Sequence, residues 1–381
     1  MSSFPPQKLK VGFFPLHSFA KPGGVKRHVL ALQNEFQAKG VLSKIVLPRR
    51  HLSEKYGKNF AFLGTAFDLP LEGTQSDFTV CFNPLAIDRL LSRERFTVLH
   101  FHNFGLHSWQ ILEKSKAVNI LTFHADITSS KIFKTFPFLL DRFKKILAHR
   151  MHGIICVAPF QLELFREFRG PKIVIPNGID LSEFNADVPK IKKYADGKLN
   201  ILFVGRAEER KGLIYLIRAF GLLRKQNNRI RLLVVGEGPR LPECKNFVRK
   251  NMIPGVVFEK AVEKNINQYY NTCDIFVSPA IFGESFGIVL LEAMATGKPV
   301  AAFANEGYKN VLTGKGKDFL AKPRDWRALA ARLEILIRSE TKRKKMGEWG
   351  FREAQKYAWP KIAERVLDFY GKVGRMKTAA K

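Results

Sequence analysis

Cysteine, acidic residues and long apolar runs are all scarce in this chain of 381 residues. The four cysteines, Cys81, Cys156, Cys244 and Cys273, lie far apart and form no C-x-x-C pair. That excludes a disulfide framework and a cysteine zinc site, leaving reduced core thiols as in a cytosolic protein. No apolar run approaches bilayer-spanning length, and the first residues lack the apolar core of a signal peptide. The expectation is a cytosolic protein, or one that clings to a membrane without crossing it. Low-complexity stretches and short repeats are also missing. Asp and Glu number 34 against 64 Lys and Arg, a net charge of +30. Such an excess calls for an anionic partner, with nucleic acid, an anionic membrane and phosphorylated ligands all open.

What is present is one architecture written twice. The length favours two domains, and 46% hydrophobic with 26% charged residues is a globular composition. Strands are expected at 10–15, 41–47, 96–102, 119–123, 153–158 and 172–175, with a glycine turn and a helix (25–38) after the first. A strand, a turn and a helix before the next strand imply a parallel sheet. Residues 49–80 are poorly patterned and are assigned only to loops and short strands. After a charged connector (189–198) the alternation resumes, with strands at 199–204, 229–235, 256–259, 274–278 and 300–303. Helices are expected between them at 211–225, 241–250, 266–272 and 287–296, and three more at 326–338, 341–356 and 360–371. The reading is α/β: two doubly wound domains, 1–185 and 186–358, and a terminal segment, 359–381.

The chemistry concentrates in PAIFGESFGIVLLEAMATGKPV, residues 279–300. An apolar helix expected from Gly287 to Thr296 carries two carboxylates, Glu284 before it and Glu292 inside it. Ionised carboxylates in such surroundings must be paired, open to solvent or ligand-bound. The helix start, with Ser285, Phe286, Gly287 and Ile288, offers free backbone N–H groups to an anion. One glutamate satisfied by a neighbouring arginine is the plainer alternative. Phe203-Val204-Gly205-Arg206 leads into Glu209-Arg210-Lys211-Gly212, where Arg206 and Lys211 can converge on a polyphosphate. A solvated charged loop is the other reading. Gly23-Gly24, between the first strand and its helix, lets a backbone approach a phosphate, although tight turns use the same pair. His124 follows the apolar strand NILTF at the end where ligands gather, or is an ordinary surface histidine. His28 reads as a packing residue. His100 and His102 form an H-x-H pair, but no third ligand has suitable spacing, so a metal is set aside.

The spacing Glu284-x7-Glu292 within SFG, EAMA and GKPV resembles the signature of family 4 retaining glycosyltransferases of the GT-B fold. PGGVKRHV, TFH, GR…RKG and Pro176-Asn177-Gly178-Ile179-Asp180 resemble further segments of that family, from about Val11 to Trp359. The resemblance implies two Rossmann-like domains facing across a cleft. The first would bind the acceptor and the second a nucleotide sugar, with the last helix crossing back to the first domain. Arg206 and Lys211 would neutralise the diphosphate without a metal or other cofactor. Glu292 would accept from the ribose, Glu284 would hold sugar hydroxyls, and His124 would be an active-site histidine. Lys260, and the loop Ala304-Asn305-Glu306-Gly307-Tyr308, depart from the family pattern.

Residues 129–152 combine apolar positions (Phe136, Leu139, Leu140, Phe143, Ile146, Leu147, Met151) at helical spacing with Lys131, Lys134, Arg142, Lys144 and Lys145. A basic amphipathic helix is a membrane-surface signature, and a core-facing helix with a solvated basic face is the alternative. Lys342–Lys345 and the tail from Lys372 add positive charge. The order of motifs is most similar to bacterial phosphatidylinositol mannosyltransferases. That implies transfer of mannose from GDP-mannose to a phosphoinositide-like lipid at the inner face of the cell membrane. A UDP-glucose-dependent glycolipid or surface-glycan transferase is the runner-up, and a nucleic-acid-binding protein on this scaffold is the reading from another class.

Overall fold

The computed structural model describes residues 9–15, 17–20, 23–51, 53–71, 74–125, 135, 137–260 and 265–379. Lys131 and Lys134 lie outside the described residues.

The elements run β1 (Lys10–Pro15), α1 (Gly24–Ala38), β2 (Leu42–Arg49), β3 (Phe60–Leu71), β4 (Thr74–Val80), α2 (Pro84–Glu94) and β5 (Val98–His102). Next come α3 (Leu106–Lys114), β6 (Val118–Phe123), α4 (Pro137–Arg150), β7 (Gly153–Cys156) and β8 (Lys172–Val174). The second half continues with β9 (Leu199–Val204), α5 (Leu213–Gln226), β10 (Ile230–Val235), α6 (Leu241–Lys250), β11 (Val256–Glu259) and α7 (Ile266–Thr272). After these follow β12 (Ile275–Ser278), α8 (Ile288–Ala295), β13 (Val300–Phe303), α9 (Tyr308–Val311) and β14 (Leu320–Ala321). The last helices are α10 (Trp326–Arg338), α11 (Glu340–Ala354) and α12 (Trp359–Ala379).

The chain divides into two compact units, residues 1–178 with 359–381, and residues 179–358. In the first, eight strands are ordered β4-β3-β2-β1-β5-β6-β7-β8, all neighbours parallel except the hairpin β3–β4. That antiparallel edge hairpin occupies much of the stretch with no clear sequence pattern. Side chains alternate across the sheet as strand geometry requires. Val11 and Phe13 enter the core shared with α1 and α12, while Phe14 enters the opposite core with Leu99 and Phe101. From α12, Trp359, Ile362, Val366, Phe369 and Tyr370 are buried in that first core.

The second unit has six parallel strands ordered β11-β10-β9-β12-β13-β14. Its main core packs α5 and α10 on the sheet through Leu216, Phe220, Leu329 and Leu333. Each sheet reverses its strand order once, between β1 and β5 and between β9 and β12. In doubly wound sheets ligands bind at the carboxyl ends beside such reversals.

Helix α4 begins at Pro137, where a missing N–H does no harm. Its second half is anchored in the core: Leu147 is buried and Phe143 packs on Phe104 and Phe123. Phe138, in contrast, is exposed. The apolar positions at this end therefore serve the fold, and the exposed part of the helix is mainly basic. None of the described helices is long and apolar enough to cross a membrane.

Candidate functional site

In the second unit, two loops meet at the carboxyl ends of β9 and β12. Gly212 stands at φ +66°, and a Cβ there would sit 2.1 Å from the Pro279 carbonyl oxygen. Only glycine permits that approach. The Ile281 amide donates to the Arg210 carbonyl at 2.8 Å, so the loop after β9 is tied to the loop after β12. The tie brings charges together. Arg210 Nη1 donates to Glu284 Oε1 at 2.8 Å, and Lys211 Nζ reaches the same oxygen at 2.5 Å. Glu208 accepts from Arg210 Nε at 2.9 Å and from Arg206 Nε at 3.0 Å. Three cations thus face two carboxylates, leaving one positive charge in excess. Burial works against the Arg210 charge, but Glu284 and Glu208 overcome it and raise its pKa.

The turn before α8 is braced from below. Gly287 is at φ +109°, and a Cβ there would lie 2.6 Å from the Tyr308 ring. Tyr308 shares a 2.6 Å hydrogen bond with Ser278, its amide donates to Asn305 Oδ1 at 2.9 Å, and Asn305 Nδ2 donates to the Ala280 carbonyl at 2.9 Å. Burial and then Glu284 push the Tyr308 phenol well up, so it stays protonated. The unusual 304–308 loop is thereby the support of the helix start. Ser285 and Ile288 are half-buried there, and Phe286 is buried against Tyr357. Glu292, inside α8, is buried and accepts from Tyr270 at 2.5 Å.

In the first unit the histidines gather at the corresponding carboxyl ends. His28 comes from α1, His102 ends β5 and His124 follows β6. His102 Nδ1 and His124 Nε2 are 3.0 Å apart, and His28 stands edge-on to both, with centroids 5.2 and 4.6 Å away. The His28 Nδ1 meets Asn177 Oδ1 at 2.9 Å. His100 is a different case, held on both sides by Tyr370 and Thr122 at 2.6 Å. Burial lowers His28 to about 4, and burial with the neighbouring imidazoles takes His102 and His124 well down. At neutral pH these rings are uncharged. Gly23 is extended (φ −177°), and a Cβ there would meet nothing within 4 Å among the described residues. The packing of the described residues therefore does not require glycine at 23.

The comparisons with known proteins agree with this layout. Residues 22–183 match the family described as Glycosyltransferase Family 4, and residues 185–352 match Glycosyl transferases group 1. This chain is a family 4 glycosyltransferase. It is 28% identical over 370 residues to a phosphatidyl-myo-inositol mannosyltransferase of Mycobacterium leprae, covering 95% of this chain and 96% of that one. Its fold matches a sucrose-phosphate synthase from Thermosynechococcus elongatus with TM-score 0.77 at 20% identity, over 98% of this chain and 100% of that one. It also matches Anabaena HepE in complex with UDP and glucose, with TM-score 0.75 at 18% identity, over 95% and 99% of the chains. The family and the GT-B fold are those of the glycosyltransferases, enzymes of class EC 2.4.

Three features of the transferase site escape a linear reading. The Gly236-Glu237-Gly238 turn after β10 lies against the 205–207 loop: the Ala207 amide donates to the Glu237 carbonyl at 2.9 Å, and the Arg240 amide donates to the Ala207 carbonyl at 2.8 Å. A glycine-flanked turn after a strand was its only signal. Arg210 joins Lys211 on Glu284 Oε1, at 2.8 Å against 2.5 Å. One ring nitrogen from each of His28, His102 and His124 lies within 4.8 Å of the other two.

Proposed function

We propose that this transferase moves mannose from GDP-mannose onto a phosphoinositide-like membrane lipid, retaining the anomeric configuration. The observation that carries the donor half is the convergence of Arg210 and Lys211 on one carboxylate oxygen beside the start of α8. A diphosphate offers the same cations a more highly charged partner, with Arg206 alongside and the amides of Ser285 to Ile288 adding their dipoles. Positive side chains then take the place a metal has in other transferases. Glu284, freed in part from its cations, holds sugar hydroxyls. Glu292 accepts from the ribose while sharing the Tyr270 hydroxyl.

Gly23 and Gly24 give room for the donor phosphates, and neutral His124 meets the acceptor side. Attack on the same face as departure lets the leaving phosphate take the acceptor's proton. No carboxylate nucleophile is then needed, in contrast to retaining glycosidases. Stabilising the leaving diphosphate is the main catalytic contribution. The lipid half is supported by the named M. leprae relative and by the +30 charge, which suits anionic headgroups at the inner face of the membrane. Arg142, Lys144 and Lys145 are the basic residues of α4 that would meet such a surface.

The test is a panel of GDP- and UDP-sugars with and without phosphatidylinositol vesicles, on the unmodified protein and on Glu284→Gln. Vesicle-stimulated transfer from GDP-mannose, lost in the variant, is expected. Preference for UDP-glucose would replace the donor assignment, and turnover indifferent to vesicles would remove the lipid acceptor.

A further inference from the structure

Among the described residues, the histidine cluster of the first unit has an unused donor atom. Both ring nitrogens of His100 are occupied by Tyr370 and Thr122. In His28, by contrast, Nε2 is buried with no hydrogen-bond partner among the described residues. A buried polar atom left unpaired is unfavourable.

The spacing of the rings is also that of a coordination sphere. With metal–nitrogen bonds of about 2.0–2.1 Å and tetrahedral angles, imidazole centroids around one ion stand about 5 Å apart. The three centroid distances here are 4.6, 5.2 and 5.3 Å. His102 Nδ1 and His124 Nε2, at 3.0 Å, need to part only slightly. His28 Nδ1 against Asn177 Oδ1 repeats the outer-shell arrangement of ligating histidines: the ring donates there and leaves the Nε2 lone pair available.

We propose that His28, His102 and His124 form a binding site for a divalent transition cation of borderline softness, of the Zn²⁺, Co²⁺ and Ni²⁺ class. Three neutral imidazoles without an oxygen ligand select these ions over Mg²⁺ and Ca²⁺. Three histidines leave a fourth position open to water or a ligand. One proton must move for the ion to enter, because only one of the two facing nitrogens on His102 and His124 has a free lone pair. It passes to the far nitrogen of its own ring, so no net proton is lost. All three histidines belong to the first unit, whereas the arginine and lysine cluster belongs to the second. Sequence spacing alone does not reveal it, since the third ligand comes from a helix 74 positions away from His102 in the chain and is delivered by the β1–β5 adjacency.

The experiment uses the full, untagged chain freed of metal by chelation and dialysis. Titration with Co²⁺ is expected to give visible absorption of a low-coordinate ion saturating at one equivalent, displaced by Zn²⁺ and not by Mg²⁺. Trp359, with its ring 5.0 Å from His28, supplies a second signal. Ni²⁺ should quench its fluorescence, and Trp359→Phe should remove that quenching. His28→Gln and His102→Asn should each weaken binding at least tenfold, while His51→Gln on the exposed surface leaves it unchanged. X-ray absorption of the Zn²⁺ form of the unaltered protein, which needs no variant to fold, should count three imidazoles. Absence of a one-to-one Co²⁺ spectrum, binding indifferent to both cluster variants, or fewer than two imidazoles around zinc would each overturn the site. None of these readouts depends on sugar transfer.

Discussion

At Glu284 one carboxylate compensates two partly buried cations, so its removal has two separable effects. Glu284→Ala leaves Lys211 without its carboxylate and Arg210 with only Glu208. The expected loss is about 2–4 kcal/mol in chemical denaturation, because an uncompensated buried charge is costly. Glu284→Gln keeps the shape and an acceptor, so stability should fall by less while transfer drops at least about 100-fold. Equal losses of stability and turnover in the two variants would remove Glu284 from the chemistry. Gly23→Ala gives the complementary case. A methyl there meets no atom of the described residues, so the melting temperature should be unchanged. Donor KM should still rise about tenfold if the turn faces phosphate; an unchanged KM would take Gly23 out of the donor site. At this scale the carboxylates and cations were legible, because Glu284, Glu292, Arg206 and Lys211 stand in short motifs. Arg210 was less so, since only the fold of the 205–212 loop shows that it turns to Glu284 alongside Lys211.

At the scale of elements, α4 separates packing from charge. Leu147→Ala empties a fully enclosed site and should cost about 2–4 kcal/mol. The pair Lys144→Glu and Lys145→Glu reverses two charges, one half-buried and one exposed, outside the apolar core, so the fold should hold. Each basic residue near an anionic surface contributes about 1 kcal/mol. Co-sedimentation with anionic vesicles at low salt should therefore weaken by tenfold or more for the pair, and the difference should shrink as salt screens it. Equal binding by the double variant would move the membrane contact elsewhere. Most strands and helices were readable from apolar runs bounded by glycine and proline. The exceptions have physical causes. In β3 and β4 the sequence is broken by Gly64 and Pro70, and Thr74-Gln75-Ser76-Asp77 carries no apolar face. That hairpin is held by main-chain pairing at a sheet edge. The three-histidine cluster was hidden for a topological reason: α1, β5 and β6 are distant in sequence and meet only through the strand order.

At the scale of the whole molecule, buried neutral histidines set the response to acid. Burial holds His107 near 4, and burial with the nearby Lys377 does the same for His152, against an ordinary value of 6.5. His152 Nδ1 accepts from the Asn119 amide at 3.0 Å, a bond that protonation there would break. The unfolded chain takes up these protons first, so stability is full above pH 6.5 and declines as pH falls towards 4. Burial also opposes the Glu94 charge, but hydrogen bonds from Lys44 and Lys10 hold its carboxyl down at about 2. Its contribution is present above pH 4.5 and disappears on the way to 2. Denaturation at stepped pH should therefore show two successive declines. His107→Gln should lessen the upper one, to which the other buried histidines also contribute, and Glu94→Gln should flatten the lower. A flat profile from 7 to 4 would show that these histidines titrate alike in both states.

The packing of α12 with α1 also orders events during synthesis. The core of the first unit includes Trp359, Ile362, Val366, Phe369 and Val373, residues the ribosome makes after all of 179–358. The second unit can close while translation is still under way. The first must wait, with β1, β5 and β6 already made but one flank of their sheet covered only in part, by α1. The earliest-made half of this protein is thus the last to finish folding, and in that interval it is the natural client for a chaperone.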